Sequence, residues 1–212
     1  MLWLCLAAPA QVILVSSMWA WLPSYLHRVH GLATDQAAIR AALVVLCGAV
    51  GAVVWGAVAD RAARSRPRNK LQVVGLLCVV SAAVLSFAFG AERLGVVLDA
   101  QTQFRLIALG GFFMTCISGV VTAVAIDVVH PAVRSTGASV LSLFQNLLGL
   151  AAGPFIAGWL SDASSLETAL TVMPAFGLLA AGLFMITARS YEADLKRFNT
   201  EPVDVSPRLA LA

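Results

Sequence analysis

Six stretches of the chain carry no charged residue, and each is bounded by ionisable ones. They run from Met1 to Leu26, Ala41 to Ala59, Leu71 to Ala91, Leu106 to Ile126, Ser135 to Ser161 and Thr168 to Ala188. A helix needs about 20 apolar residues to cross the hydrocarbon core of a bilayer, and all six are near or above that length. A β-barrel would need strands of about 10 residues alternating with period two. These runs are longer and do not alternate. The pattern predicts an all-α membrane protein with six transmembrane helices, spans one to six, at about 2–26, 41–59, 71–91, 106–126, 136–161 and 168–188. They form one domain over residues 1–190, followed by a tail at 191–212. The tail begins as a short amphipathic helix, Tyr191 to Phe198, and then reads as disordered.

Composition agrees with the pattern. Hydrophobic residues make up 60% of the chain and charged residues 12%, against roughly 25% charged in soluble domains. In lipid every backbone group must be bonded internally, which favours helices. With the N-terminus in the cytoplasm, the inner segments hold Arg61, Arg64, Arg66, Arg68, Lys70, Arg134, Arg189, Lys196, Arg197 and Arg208. The outer loops hold Arg28, Arg40, Arg93 and Arg105. That asymmetry predicts N-in and C-in topology. It makes the net charge of +3 a topology signal, with no nucleic-acid partner expected. Met1 leads straight into apolar sequence without a basic segment, so the first run reads as a span and not as a cleaved signal. Cys5, Cys47, Cys78 and Cys116 all lie in spans and lack metal-ligand spacing, so neither disulfide, metal nor cofactor is expected.

A longer connection from Glu92 to Arg105 divides the spans into two triplets. Near the end of span two the chain reads Gly51-x4-Gly56-Ala57-Val58-Ala59-Asp60, and near the end of span five Gly153-x4-Gly158-Trp159-Leu160-Ser161-Asp162. A triplet has an odd number of crossings, so the second copy is inverted, and inverted three-plus-three repeats mark secondary transporters. Asp60 opposes the negative end of its helix dipole and needs compensation, which Arg61 and Arg64 are placed to give. Gly56 lets another backbone approach closely. Alone, the segment is also consistent with a basic stop-transfer flank. After span four, Asp127-x-x-His130-Pro131-x-x-Arg134 reads either as an interfacial ion pair worth little or as a pair that exchanges partners during transport. In span five, Pro154 next to Gly153 predicts a bend.

Gly56, Asp60, Arg61, Arg64 and Arg66 resemble the Gly-x-x-x-Asp-Arg-x-Gly-Arg-Arg pattern of the major facilitator superfamily, with Ala63 and Ser65 departing from it. The Asp127 to Arg134 stretch and the Gly153-Pro154 pair resemble two further patterns of that superfamily. The segment from Arg134 to Asp162 is similar to the eleventh helix of its spinster-like and organic-anion-transporting branches. The resemblance implies half of a twelve-helix fold, its helices seven to twelve, arranged as two inverted three-helix repeats. It also implies a conformational latch at Gly56, Asp60, Arg61 and Arg64, with Asp127, Arg134, Gly153 and Pro154 as gating positions.

Polar residues inside the spans form stripes. In span five, Ser135, Ser139, Ser142, Asn146, Gly149 and Gly153 follow helical spacing, as do Gly111, Thr115, Ser118 and Thr122 in span four. Such stripes serve either helix packing or, as the resemblance implies for spans one, two, four and five, the wall of a central cavity. The cavity candidates are Gln11, Ser17, Thr115, Ser118, Gln145 and Asn146. No charged residue lies at mid-span, so a proton-coupling carboxylate would belong to another half. An intramembrane protease is disfavoured, because Cys116 precedes Ser118-Gly119 where a Gly-x-Ser-Gly nucleophile needs glycine. The expectation is a carrier of a small organic solute in a bacterial inner membrane, not an enzyme. Its partners are the bilayer, the solute, and a complementary N-terminal six-helix half or a second copy. A channel-like homo-oligomer remains the alternative.

Overall fold

The structure, a computed structural model, describes residues 2–127, 129 and 133–200, and beyond Tyr191 the backbone alone. His130, Pro131 and the end of the tail lie outside the described residues. The helices are α1 (Leu2–Arg28), α2 (Thr34–Ala63), α3 (Asn69–Gly90), α4 (Ala100–Met114), α5 (Val120–Asp127), α6 (Arg134–Phe144), α7 (Ala152–Ala163), α8 (Leu166–Val172) and α9 (Pro174–Thr200). A 3₁₀ turn, Ala91–Leu94, ends α3, and a π-helical segment, Gln145–Ala151, joins α6 to α7. Among the described residues five helical stretches are long and apolar enough to cross a membrane. Span four is the departure. It is split into α4 and α5, of 15 and 8 residues, and neither crosses alone.

Helix ends overrun the uncharged runs. α2 spans 30 residues, taking in Asp35, Arg40 and Asp60, and α9 continues through the predicted amphipathic segment. Uncharged runs mark what lipid tolerates, whereas the helical ladder stops only where caps or prolines stop it. Asp99 caps α4 by accepting the Thr102 N–H at 3.0 Å, and Ser165 caps α8 by accepting that of Thr168 at 3.1 Å. Pro174, which has no N–H to lose, opens α9.

α1 runs through the centre, against α9, α7, the π segment and α2. Its apolar window is 72% buried, whereas the windows of α2 and of α6–α7 are 22% buried. One apolar cluster surrounds Leu4, Leu71, Val124 and Phe184, near the end that carries Asp60 and Lys70, here the basic end. A second surrounds Leu22, Tyr25, Phe89 and Ile107 toward the other end. They meet at mid-depth, where Gln11, Ser16, Ser17, Ser81 and Thr115 are buried.

Lipid tails are as apolar as leucine, so close packing and hydrogen bonds hold such helices together. Two crossings show how. A Cβ on Gly51 of α2 would stand 1.9 Å from the Phe112 carbonyl oxygen of α4. A Cβ on Gly153 of α7 would stand 2.0 Å from Ser16 Oγ of α1 and 2.6 Å from the Ile13 carbonyl oxygen. Beside the first, Thr115 Oγ1 donates to the Gly48 carbonyl at 2.6 Å, and beside the second, Ser16 Oγ donates to the Gly149 carbonyl at 3.2 Å. Span two on span four thus matches span five on span one, as an inverted repeat requires. The acceptor precedes the glycine by three residues in one copy and four in the other. The π segment, which inserts one residue into a helix, accounts for the difference. Gly51 and Gly153 are the contact glycines. Gly56 is not, since nothing lies within 4 Å of a Cβ built there.

Candidate functional site

The break in span four falls at Thr115-Cys116-Ile117-Ser118-Gly119. Gly119 takes φ +79°, a left-handed conformation that costs glycine little. The last carbonyls of α4 lose their helical partners and find others. Gln11 Nε2 of α1 donates to the Met114 carbonyl at 2.9 Å, and Trp55 Nε1 of α2 donates to the Phe112 carbonyl at 3.1 Å. Thr115, Cys116 and Ile117 are buried, while Ser118 and Gly119 are exposed.

In span five, Pro154 offers no N–H to the carbonyl four residues back. Directly before it the ladder widens over Gln145–Ala151. The Pro154 carbonyl accepts from Trp21 Nε1 at 2.9 Å, which ties α7 to α1. The widened segment divides the predicted stripe. Gly149 and Gly153 are buried on α1, whereas Ser135, Ser139, Ser142 and Asn146 are exposed. Asn146 Nδ2 donates back to the Ser142 carbonyl at 2.8 Å.

The two irregularities face one groove of about 280 Å³. Ser118, Gly119 and Thr122 line one side, Gln145, Asn146 and Leu150 the other, with Val12 and Ile117 completing it. Of the six cavity candidates, the structure brings Ser118, Gln145 and Asn146 together here. It places Gln11, Ser17 and Thr115 inside helix contacts. Gln11 is 0% exposed and holds the end of α4. Ser17 Oγ donates to the Ile13 carbonyl and contacts Met173 Sδ of α8–α9 at 3.3 Å. Thr115 is committed to Gly48.

A second groove, of about 260 Å³, shares Ser118 and Gly119 with the first and leads past Gly56 to Asp60 and Lys70. There the structure corrects the expected partners. Asp60 pairs with Lys70 Nζ at 2.8 Å, the two side chains being 67% and 13% exposed. Arg61 and Arg64 are both exposed and form no ion pair with Asp60. α2 ends and α3 begins side by side, which carries Lys70 back to Asp60, while Arg61 points about 100° away around the helix. Asp127 likewise accepts from Tyr191 Oη of α9 at 3.1 Å, and among the described residues it forms no ion pair with Arg134. Arg134 stands exposed at the first turn of α6. Lys70, Asp127 and Tyr191 share a further groove of about 310 Å³ with Ala63 and Pro67. Sequence reasoning missed Lys70 and Tyr191. The antiparallel pairing of consecutive helices could have found the first. Nothing local marks the second. Trp55 also packs on Phe113, with ring centroids 5.1 Å apart.

Residues 1–147 match the sequence model of the Major Facilitator Superfamily. An MFS-type efflux pump of Mycolicibacterium smegmatis is 28% identical over 214 residues, covering 91% of this chain and 48% of that protein. Protein spinster homolog 1 of Xenopus tropicalis is 26% identical over 178 residues, covering 77% of this chain and 33% of that one. The crystal structure of a bacterial homologue of the human lysosomal transporter spinster, inward-facing and occupied, superposes with a TM-score of 0.77 at 20% identity. It is covered over 49% of its length by 91% of this chain. The chain thus spans between a third and a half of the proteins it matches.

Proposed function

The chain belongs to the major facilitator superfamily, and from that premise we propose that it is the C-terminal half of a secondary carrier for a small organic solute. The observation that supports this most is the groove at Ser118, Gly119, Gln145 and Asn146. It lies where two spans depart from α-helical geometry near their middles. Irregular backbone at that depth is tolerated only when buried in protein or lining a water-filled cavity. Left against lipid, each unpartnered amide there would cost roughly a few kcal/mol. A second six-helix half facing this groove turns it into the wall of a central cavity. The sparsely buried faces of α2 and α6–α7 support the same reading.

In this scheme the groove, with Ser118, Gln145 and Asn146, meets the solute, while Gln11, Ser17 and Thr115 hold the wall in shape. Transport proceeds by alternating access, with each half moving largely as a body around the site. The N-terminus faces the cytoplasm and the membrane is the bacterial inner membrane. The basic end then closes from the inside, and the exposed Asp60 carboxylate, steadied by Lys70, serves as latch together with Gly56, Arg61 and Arg64. Asp127, Arg134, Gly153 and Pro154 govern the tilt of spans four and five.

The test is counterflow in proteoliposomes with a panel of radiolabelled organic solutes. The chain is compared alone and assembled with an N-terminal six-helix half. Saturable counterflow is expected of the assembly and not of the chain alone. Counterflow by the chain as a monomer would overturn the half-carrier reading. Topology is tested separately. Cysteine introduced at Ala33 or Ala100 should react with an impermeant thiol reagent from outside, and cysteine at Ser65 should not.

A further inference from the structure

A different groove opens between α3 and α9. It holds about 390 Å³ and is walled by Leu76 and Val79 on one side and Leu178, Ala181 and Met185 on the other. Two glycines shape it. At Gly75 a Cβ would lie 3.4 Å from the Ala181 carbonyl oxygen and Met185 Sδ, so α9 can close over this point. At Gly182 nothing lies within 4 Å of a Cβ, which leaves the trough open above. Gln72 supplies the one polar side chain of the lining. The trough shares no residue with the polar groove of Ser118 and Asn146.

Its Gln72 end is also the basic end. Along α3, Arg68 stands one turn before Gln72. Along α9, exposed Arg189 stands one turn beyond Met185, on the stripe that begins with Leu178 and Gly182. Steps of three and four keep such positions on one helix face. The apolar trough therefore runs out toward exposed Arg189 at the basic end.

We propose that this trough binds an anionic phospholipid, with an acyl chain along Gly75–Val79 and Leu178–Met185 and the phosphate at Arg189. Three features select this occupant. The wall is apolar, as the hydrocarbon side of a lipid requires. The volume lies within the roughly 300–1,000 Å³ of pockets that enclose small molecules. The guanidinium fork matches phosphate oxygens bidentately. A zwitterionic lipid would fit the trough but gain less from that cation.

The experiment uses the purified chain in bilayers doped with diazirine-tailed phosphatidylglycerol or phosphatidylcholine, photolysed and mapped by mass spectrometry. The phosphatidylglycerol probe should label both trough segments in about fivefold excess over the phosphatidylcholine probe, since a basic residue near an anionic membrane surface contributes about 1 kcal/mol. Arg189→Gln should reduce that preference by about fivefold. Gly182→Phe, which fills open space, should remove labelling of both segments by both probes while other lipid-facing segments stay labelled. Equal labelling by the two probes, or a preference untouched by Arg189→Gln, would overturn the proposal. So would unlabelled trough segments in the wild type, which would mean that a second copy or another helix covers this face. Should Gly182→Phe fail to fold, Arg189→Gln alone decides.

Discussion

Replacing Gly51 and, in a separate variant, Gly56 by alanine distinguishes a contact glycine from a merely permissive one in the same helix. At Gly51 the new Cβ meets the Phe112 carbonyl oxygen at 1.9 Å, where ordinary contact begins at 3.4 Å, so α2 and α4 must separate locally by about 1.5 Å (3.4 minus 1.9). The obstacle is backbone and cannot rotate aside. Carried along the crossing, a shift of that size breaks Thr115 Oγ1 to Gly48 and Trp55 Nε1 to Phe112, now 2.6 and 3.1 Å. Interhelical bonds of this kind average about 0.6 kcal/mol each in membranes, and overpacking adds about 1–3 kcal/mol. The expected loss is about 2–4 kcal/mol. At Gly56 nothing lies within 4 Å, and alanine is a better helix former than glycine by about 0.8–1 kcal/mol. That variant should therefore be unchanged or more stable. The assay is SDS-titrated unfolding of the purified chain followed by circular dichroism. Equal stability of the two variants, or a Gly51→Ala variant as stable as wild type, would refute the crossing geometry.

Further outcomes follow from the same contacts. Gly153→Ala should destabilise comparably to Gly51→Ala in the same titration, since its Cβ meets Ser16 Oγ at 2.0 Å and the Ile13 carbonyl at 2.6 Å. If only one of the pair is sensitive, the two crossings are not equivalent. Gln11→Leu leaves the buried Met114 carbonyl without its donor and should cost about 1–3 kcal/mol of stability; a variant with wild-type unfolding but altered transport would return Gln11 to the cavity. Asp60→Asn removes an ion pair whose acidic member is 67% exposed, so stability should fall by no more than about 1 kcal/mol. Transport by the assembled carrier, set against its abundance on a blot, should fall much further. Unchanged transport would reduce the basic loop to a topology signal.

Much of the architecture is legible in the chain because lipid imposes one strong constraint. Five of the uncharged runs coincide with the helical stretches long and apolar enough to cross, and the fourth run falls on the pair α4 and α5. The split itself is not legible. Thr115, Ser118 and Gly119 keep helical spacing on paper, and only Gln11 and Trp55, distant in sequence, make an interrupted ladder affordable there. The Gly-x4-Gly repeat was visible, yet which glycine touches a neighbour depends on how α2 lies on α4. Spacing cannot fix that, and the contact falls at Gly51 rather than Gly56. The site divides in the same way. Helical periodicity gathered Asn146, Gly149 and Gly153 onto one face, but the π segment turns the glycines toward α1 and leaves Asn146 in the groove. For Asp60 and Asp127 the nearest arginines in sequence were the natural partners. Lys70 and Tyr191 take those places because chain reversal and long-range packing bring them closer.

The most direct test of the half-carrier reading is the water accessibility of the groove. In a background where Cys5, Cys47, Cys78 and Cys116 are replaced, the variants Ser118→Cys, Asn146→Cys, Leu76→Cys and Leu178→Cys are each exposed to a charged, water-soluble thiol reagent in membranes containing both halves. The account predicts reaction at Ser118→Cys and Asn146→Cys and none at Leu76→Cys and Leu178→Cys, which lie in the apolar trough. Inert groove positions, reacting no faster than the two leucine sites, would contradict a central cavity bounded by the broken fourth span and the widened fifth.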